Sequence, residues 1–286
     1  MNKKIIDLYD EFTHGGMSRR SFLDRLAQIV GGSAAALALV PVLEHTYAQS
    51  PGVAENDDRL AIARVEYDAA GTKIAGYLAR LKGGQKRPGV IVIHENRGLT
   101  PHIEDVARRT AVEGFLALAP DMLSPLGGTP AAQDQATKLI GSLDAGETVA
   151  RLAAAVRFLA SHPESTGKVG VVGFCWGGGM VNSLAAAGTS LNAGVAYYGR
   201  QVPAADVPKI TAPLLLHYAG LDERINAGIP DYEAALKANG KVYELFMYDG
   251  ANHAFNNDTN AARYSKDAAA LAWGRTIAFF KKYLAT

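Results

Sequence analysis

The central motif of this chain is Val169-Gly170-Val171-Val172-Gly173-Phe174-Cys175-Trp176-Gly177-Gly178. Its apolar first half is typical of a buried strand, and the residues that follow predict a helix over 175–187. A tight, strained turn joins the two, because a side chain at Gly173 or Gly177 would collide with the neighbouring backbone. Cys175 stands at the apex of the turn, where helix N–H groups favour a thiolate. The alternative interpretation is a small buried cysteine that only packs.

A strand, tight turn and helix of this kind form the nucleophile elbow of the α/β-hydrolase fold, here with cysteine where serine is usual. That fold requires an acid and then a histidine, each on a loop after a later strand. Asp222 follows the strand predicted over residues 213–219, and His253 follows the strand predicted over residues 241–248. We therefore predict a catalytic triad in which His253 takes the proton of Cys175 and Asp222 fixes the histidine tautomer. Taken singly, Asp222 could be a helix N-cap and His253 an ordinary loop histidine.

A second loop that could take part in the chemistry follows the first long apolar strand and contains Glu95 and Asn96. In this fold that loop supplies the second amide of the oxyanion hole, so we predict that the backbone N–H groups of Asn96 and Trp176 hold the developing oxyanion. Glu95 is unusual, because a carboxylate near a thiol could accept its proton or keep it unreactive until substrate arrives. The alternative is a structural ion pair of Glu95 with Arg97 or Arg108.

Five motifs occur together in this chain, namely His94-Glu95-Asn96-Arg97-Gly98, Gly173-Phe174-Cys175-Trp176-Gly177-Gly178, Tyr197-Tyr198-Gly199, Asp222 and Asn252-His253-Ala254-Phe255. In this combination the chain resembles the dienelactone hydrolase family, also called carboxymethylenebutenolidases, over about residues 60–284. The resemblance implies Cys175, Asp222 and His253 as the triad and Glu95 as the carboxylate that governs the resting thiol. It also implies hydrolysis of small esters or enol lactones through a thioester acyl-enzyme, without a cofactor.

The chain departs from this family in its substrate contacts. Enzymes that act on dienelactone resemble one another in two arginines that grip the substrate carboxylate. The corresponding stretches here, residues 122–128 and 255–258, contain no arginine. An arginine guanidinium can bind a carboxylate through two parallel hydrogen bonds, and these stretches lack one. We therefore expect ester or lactone chemistry but not a dienelactone substrate, unless Arg97, Arg200 or Arg224 reaches the site.

Three residues are predicted to contact the substrate: Arg97, Tyr197 and Phe255. Aromatic side chains after the strands could line an apolar pocket, and core packing is the alternative for both of them. His217, inside an apolar strand, is expected to be a core histidine with its hydrogen bonds satisfied.

The first 48 residues differ from the rest. Ser18-Arg19-Arg20-Ser21-Phe22-Leu23 is a twin-arginine pattern, and a weakly apolar, alanine-rich core follows at residues 29–40. These features predict a Tat export signal at residues 1–48, cleaved after Ala48, and a hydrolase domain at residues 49–286. The partner of the signal would be the Tat machinery, and the mature enzyme would be periplasmic or exported, with no stable membrane span. The alternatives are a helical extension of a cytoplasmic enzyme and an uncleaved anchor.

The charge balance and the cysteine content of the chain exclude several classes of binding partner. Its 29 basic and 28 acidic residues give a formal net charge of +1, without runs of like charge. The near-equal numbers of basic and acidic residues provide no excess of positive charge that would attract nucleic acid or an anionic membrane. A single cysteine excludes an internal disulfide and a multi-cysteine metal site. We predict no metal and no cofactor, and a small ester or lactone as the partner.

Predicted strands and helices alternate along residues 49–286. The fold class is therefore α/β, with a mostly parallel central sheet, helices on both faces and an antiparallel pair at the N-terminal edge. Residues 121–146 are expected to shape the acyl pocket. Two other classes of function stay open on the same fold. One is a non-hydrolytic periplasmic binding or redox-thiol protein, and the other is a peroxidase or acyltransferase with the same nucleophile.

Overall fold

The structure is a computed structural model that describes residues 3–13, 17–44 and 52–285. The predicted cleavage point after Ala48 lies outside these residues. Within them, one sheet contains eight strands. The strands are β1 (Leu60–Ala69), β2 (Thr72–Leu81), β3 (Arg87–Ile93), β4 (Leu116–Pro120), β5 (Ser165–Phe174), β6 (Ala193–Tyr197), β7 (Leu214–Ala219) and β8 (Tyr243–Tyr248).

The strand order in the sheet is β1-β2-β4-β3-β5-β6-β7-β8. β1 pairs with β2, and β2 with β4, in antiparallel fashion, whereas all later neighbours are parallel. The α/β class and the antiparallel N-terminal edge are thus confirmed. Because parallel strands end at one edge of a sheet, the loops after β3, β5, β7 and β8 emerge close together.

Helices cover both faces of the sheet. One apolar cluster joins the sheet to α6, α7 and α9, and a second joins it to α4 and α10. Strands covered on both sides carry near-continuous apolar runs, which is why the sequence predicted them. The helices are α1 (Lys3–Thr13), α2 (Arg19–Val30), α3 (Ser33–Glu44), α4 (Pro101–Val112), α5 (Gln133–Ser142), α6 (Ala145–Ala160), α7 (Trp176–Ala186), α8 (Glu223–Asn226), α9 (Ile229–Ala238) and α10 (Lys266–Leu284).

The helical segment after β7 is divided in two. α9 is preceded by the separate short α8, and Pro230 lies in the first turn of α9. Proline suits a first turn, since its missing N–H would be unpaired there in any case.

The N-terminal helices pack on one another around a small apolar cluster that includes Leu8, Phe22 and Leu26. Ser18 caps α2 by accepting a hydrogen bond from the backbone N–H of Ser21 at 3.2 Å. Among the described residues no single helix is long and apolar enough to cross a membrane. The pair of segments at 19–30 and 33–40 reaches that length and composition together, but it is bent by 112°.

The elbow depends on close backbone packing at Gly177. A Cβ atom there would lie 2.5 Å from the carbonyl oxygen of His94 and 2.6 Å from that of Ile93. We therefore expect Gly177→Ala to lower the free energy of unfolding by about 3 kcal/mol, measured by thermal or urea denaturation. Gly274→Ala is the matched control, because a Cβ in that helix meets nothing within 4 Å. It should stabilise by about 0.5–1 kcal/mol, and equal effects of the two changes would contradict the packing argument.

Candidate active site

Cys175 lies in the turn between β5 and α7 with φ of 56° and ψ of −114°. This backbone conformation is strained for a non-glycine residue and persists only where the surroundings hold it. The Cys175 N–H donates to the carbonyl of Tyr197 at 3.0 Å, and the Cys175 carbonyl accepts from Gly179 N at 3.1 Å. The side chain is 7% exposed. Strand, turn and helix thus hold one thiol at the edge of the sheet, as the sequence predicted.

Asp222 and His253 meet beside the thiol. Their loops follow the neighbouring strands β7 and β8, and the backbone N–H of Leu221 donates to the carbonyl of Ala251 at 3.0 Å. The distance from His253 Nδ1 to Asp222 Oδ2 is 2.5 Å. Asp222 Oδ1 also accepts from Ile225 N at 3.3 Å, so Asp222 caps α8 as well. The Asp222 carboxylate therefore both caps α8 and contacts His253.

The charges around His253 favour its protonated form. Burial alone lowers the pKa of this histidine, but the adjacent Cys175 sulfur and Asp222 carboxylate outweigh burial and raise the pKa to about 10. For Asp222, burial raises the pKa, but His253 and Arg224 together bring it below its ordinary value. An imidazolium between a carboxylate and a sulfur is the arrangement that stabilises a thiolate.

The loop after β3 is held by His94. The N–H of Met122 donates to His94 Nε2 at 3.2 Å, so Nδ1 carries the proton that is donated to the Glu95 carbonyl at 2.6 Å. Burial lowers the pKa of His94, which keeps the ring neutral for both bonds. Its ring stacks on Trp176 with centroids 5.2 Å apart. Asn96 and Trp176, predicted to form the oxyanion hole, both border the same cavity as Cys175.

Glu95 is held by a hydrogen bond from the loop after β8. Its Oε2 accepts from Asn257 Nδ2 at 2.8 Å. Arg108, one of the two arginines considered for an ion pair with Glu95, donates to the carbonyl of Val53 at 2.7 Å. Sequence reasoning missed Asn257, although its place in the polar run just after His253 was a signal.

A cavity of about 1220 Å³ opens above the thiol. α5 and its neighbours form part of the wall, which agrees with the pocket predicted for residues 121–146. The N-terminal segment also contributes, through Tyr9, Phe12, Met17, Ser18 and Arg19. Arg97, Arg200 and Arg224 all border the cavity, and Arg97 Nη2 donates to the hydroxyl of Tyr9 at 2.7 Å.

Two predicted substrate contacts are wrong. Tyr197 is fully buried, and its hydroxyl bonds Thr276 Oγ1 at 2.7 Å. Phe255 is fully buried too and packs on Tyr248 with centroids 4.9 Å apart. Neither borders the cavity, where Tyr198 stands instead.

His217 is the core histidine that the sequence predicted. Its Nε2 lies 3.1 Å from Thr276 Oγ1, and its Nδ1 lies 2.9 Å from the hydroxyl of Tyr248. Burial lowers the pKa of His217 to about 3, so the ring is neutral. In the described part of the chain, no three His, Cys, Asp or Glu side chains group as metal ligands would.

Known proteins resemble this chain over most of its length. A Methylorubrum extorquens protein, provisionally named carboxymethylenebutenolidase, is 31% identical over 263 residues, which is 87% of this chain and 88% of the relative. A Saccharolobus solfataricus protein with the same provisional name is 33% identical over 76% of this chain and 96% of its own. The crystal structure of a provisionally assigned dienelactone hydrolase from Klebsiella pneumoniae is 29% identical. It has a TM-score of 0.72 and covers 78% of this chain and 99% of its own.

Two family models match different parts of the chain. A YqhI-like model matches residues 1–32. The model of the dienelactone hydrolase family matches residues 74–284, which include the elbow, the Glu95 loop and the loops of Asp222 and His253. This chain therefore belongs to the dienelactone hydrolase family.

Proposed function

We propose that this protein hydrolyses small esters or lactones with Cys175 as nucleophile. The observation that carries the proposal is the 2.5 Å contact between His253 and Asp222 beside the thiol, with the pKa of His253 raised to about 10. Membership of a hydrolase family supports the reaction class. A purely structural cysteine would need neither a buried acid nor a buried base in that arrangement.

In the proposed mechanism the Cys175 thiolate attacks the carbonyl carbon of the substrate. The backbone N–H groups of Trp176 and Asn96 stabilise the oxyanion, and such a donor is typically worth about 3 kcal/mol of transition-state stabilisation. The tetrahedral species collapses as His253 protonates the leaving alkoxide, and a thioester remains on the sulfur. Asp222 keeps the imidazole oriented and supports its positive charge.

The residues that line the cavity indicate which substrates could bind. Tyr198 and Trp176 give it apolar walls near the thiol, whereas Arg97, Arg200 and Arg224 supply positive charge. We propose that these arginines, rather than a clamp in the family's usual positions, face any carboxylate on the substrate. The preferred ester or lactone would then differ from dienelactone.

For the N-terminal segment we propose a Tat export signal at residues 1–48, followed by the hydrolase domain at 49–286. The twin arginines Arg19 and Arg20 and the alanine-rich core support it. The Tat machinery would be its partner, and the cleaved enzyme would work in the periplasm or outside the cell. In the folded chain Arg19 borders the catalytic cavity.

Alkylation tests the proposed nucleophile without a mutation, because Cys175 is the one cysteine of the chain. We expect iodoacetamide to add a single label and to abolish hydrolysis of p-nitrophenyl acetate in proportion to labelling. Saturating ester should slow the labelling. Full labelling with undiminished hydrolysis would contradict a cysteine nucleophile. A folded protein that turns over no ester or lactone would instead favour a binding or redox-thiol function.

A further inference from the structure

A second, much smaller cavity of about 20 Å³ borders Cys175 and His253. Glu95, Asn257 and Asn260 form other parts of its wall. A cavity needs roughly 10–15 Å³ of this kind of space to hold one water molecule. The small cavity is therefore of the right size for a single water and too small for any ester.

Two buried oxygens in this wall lack a partner. Glu95 Oε1 and Asn260 Oδ1 form no hydrogen bond within the described part of the chain, although Glu95 is only 9% exposed and Asn260 only 7%. Buried acceptors in native proteins are nearly always satisfied by protein or by ordered water. One water can donate a hydrogen to each of these oxygens.

The carboxylate is fixed in this position by its neighbours. Asn257 Nδ2 donates to Glu95 Oε2 at 2.8 Å, and Asn257 Oδ1 accepts from Thr259 Oγ1 at 2.6 Å and from Thr259 N at 3.1 Å. The backbone N–H of Asn260 donates to the carbonyl of Asn257 at 3.1 Å. One turn of chain therefore holds Oε2 of Glu95 and leaves Oε1 as the available acceptor.

We propose that this cavity binds the water that hydrolyses the thioester, with Glu95 as the base and Asn260 as a second ligand. The inference rests on the proposed acyl-enzyme at Cys175. The water oxygen forms a bond to the acyl carbon, and its proton passes to Glu95 Oε1. The carbon–sulfur bond then breaks, and its electron pair stays on sulfur as a thiolate beside His253, which is neutral because it gave its proton to the leaving alkoxide. The product is a carboxylic acid, and the proton on Glu95 passes to His253, which borders the same cavity, so that the imidazolium–thiolate pair is restored.

Rapid-mixing kinetics with p-nitrophenyl acetate separate the two half-reactions. In Glu95→Gln we expect release of the first p-nitrophenolate to continue, while the steady rate falls by about 10²–10⁴-fold, because general-base catalysis has that magnitude. Mass spectrometry should then find an acetyl group on Cys175. Hydroxylamine, a nucleophile that needs no base, should restore turnover. Glu66→Gln, an exposed carboxylate of β1, is the matched control and should change neither rate.

Asn260→Leu keeps the side-chain volume, removes the second water ligand and tests the site independently of Glu95. It should slow breakdown of the acyl-enzyme by about tenfold, in line with the loss of one hydrogen bond. Equal slowing of both half-reactions in Glu95→Gln, or normal breakdown in both variants, would overturn the water site. Failure of the proposed function looks different, since neither the wild-type enzyme nor any variant would then be acetylated on Cys175.

Discussion

Cys175→Ala should lose ester hydrolysis almost completely, with kcat/KM for p-nitrophenyl acetate at least about 10⁴-fold below that of the wild-type chain. Removing a nucleophile of this kind leaves only the contribution of the oxyanion donors and of binding. The side chain is small and 7% exposed, so its loss should leave the fold intact. Steady-state kinetics and circular dichroism on the same preparation measure both effects.

Cys175→Ser is the informative companion to that variant. Serine keeps a nucleophilic atom at the elbow, but its hydroxyl is not ionised by the imidazole at rest, as a thiol can be. We expect activity between those of the wild type and the alanine variant. Hydrolysis that persists in Cys175→Ala would place the chemistry on another residue and refute the proposed mechanism.

The sheet and the elbow were predictable because their causes are local. Apolar runs mark strands that are buried on both faces, and the glycines around Cys175 are required by backbone contacts such as that of Gly177 with His94. Asp222 and His253 could be located because each follows such a run, and parallel strands end at one edge of the sheet. A pattern within ten residues was enough for each of these predictions.

Contacts at the end of β6 were not predictable in this way. Tyr197 is the last residue of β6, and Tyr198 follows it in the turn with a φ of 39°. The alternation of side chains along a strand therefore stops between the two residues, and the sequence does not say which of them faces the cavity. Tyr197 packs into the core and Tyr198 borders the cavity. The choice of Tyr197 instead of its neighbour Tyr198 was sufficient to misplace the aromatic wall.

The partners of Glu95 and of the N-terminal segment depend on residues far away in sequence. Glu95 bonds Asn257, 162 positions away, and Arg97 bonds Tyr9, 88 positions away. No periodic pattern links such residues, because their proximity follows from how the loops and helices meet in three dimensions. The export signal was predicted from local motifs alone, which give no indication that Tyr9 and Arg19 border the same cavity as Cys175.

Asp222→Asn should reduce kcat/KM by about 10³–10⁴-fold, since the acid fixes the tautomer and supports the charge of the histidine. The change removes the carboxylate that helps to raise the pKa of His253 to about 10. That pKa should fall, so less imidazolium–thiolate pair should be present at neutral pH. Asp249→Asn, an exposed aspartate after β8, is the matched control and should leave kcat/KM unchanged.

The same substitution should change how stability depends on pH. Because the pKa of His253 is raised from 6.5 in the fold, its charge stabilises fully below about pH 6.5, and this contribution is lost as pH rises towards 10. The lowered pKa of Asp222 adds stability that is lost as pH falls below its ordinary value of 3.8. The wild type should therefore exceed Asp222→Asn most between about pH 4 and 6.5, measured by urea unfolding. A constant difference from pH 4 to 10 would show that the two groups do not interact as this geometry requires.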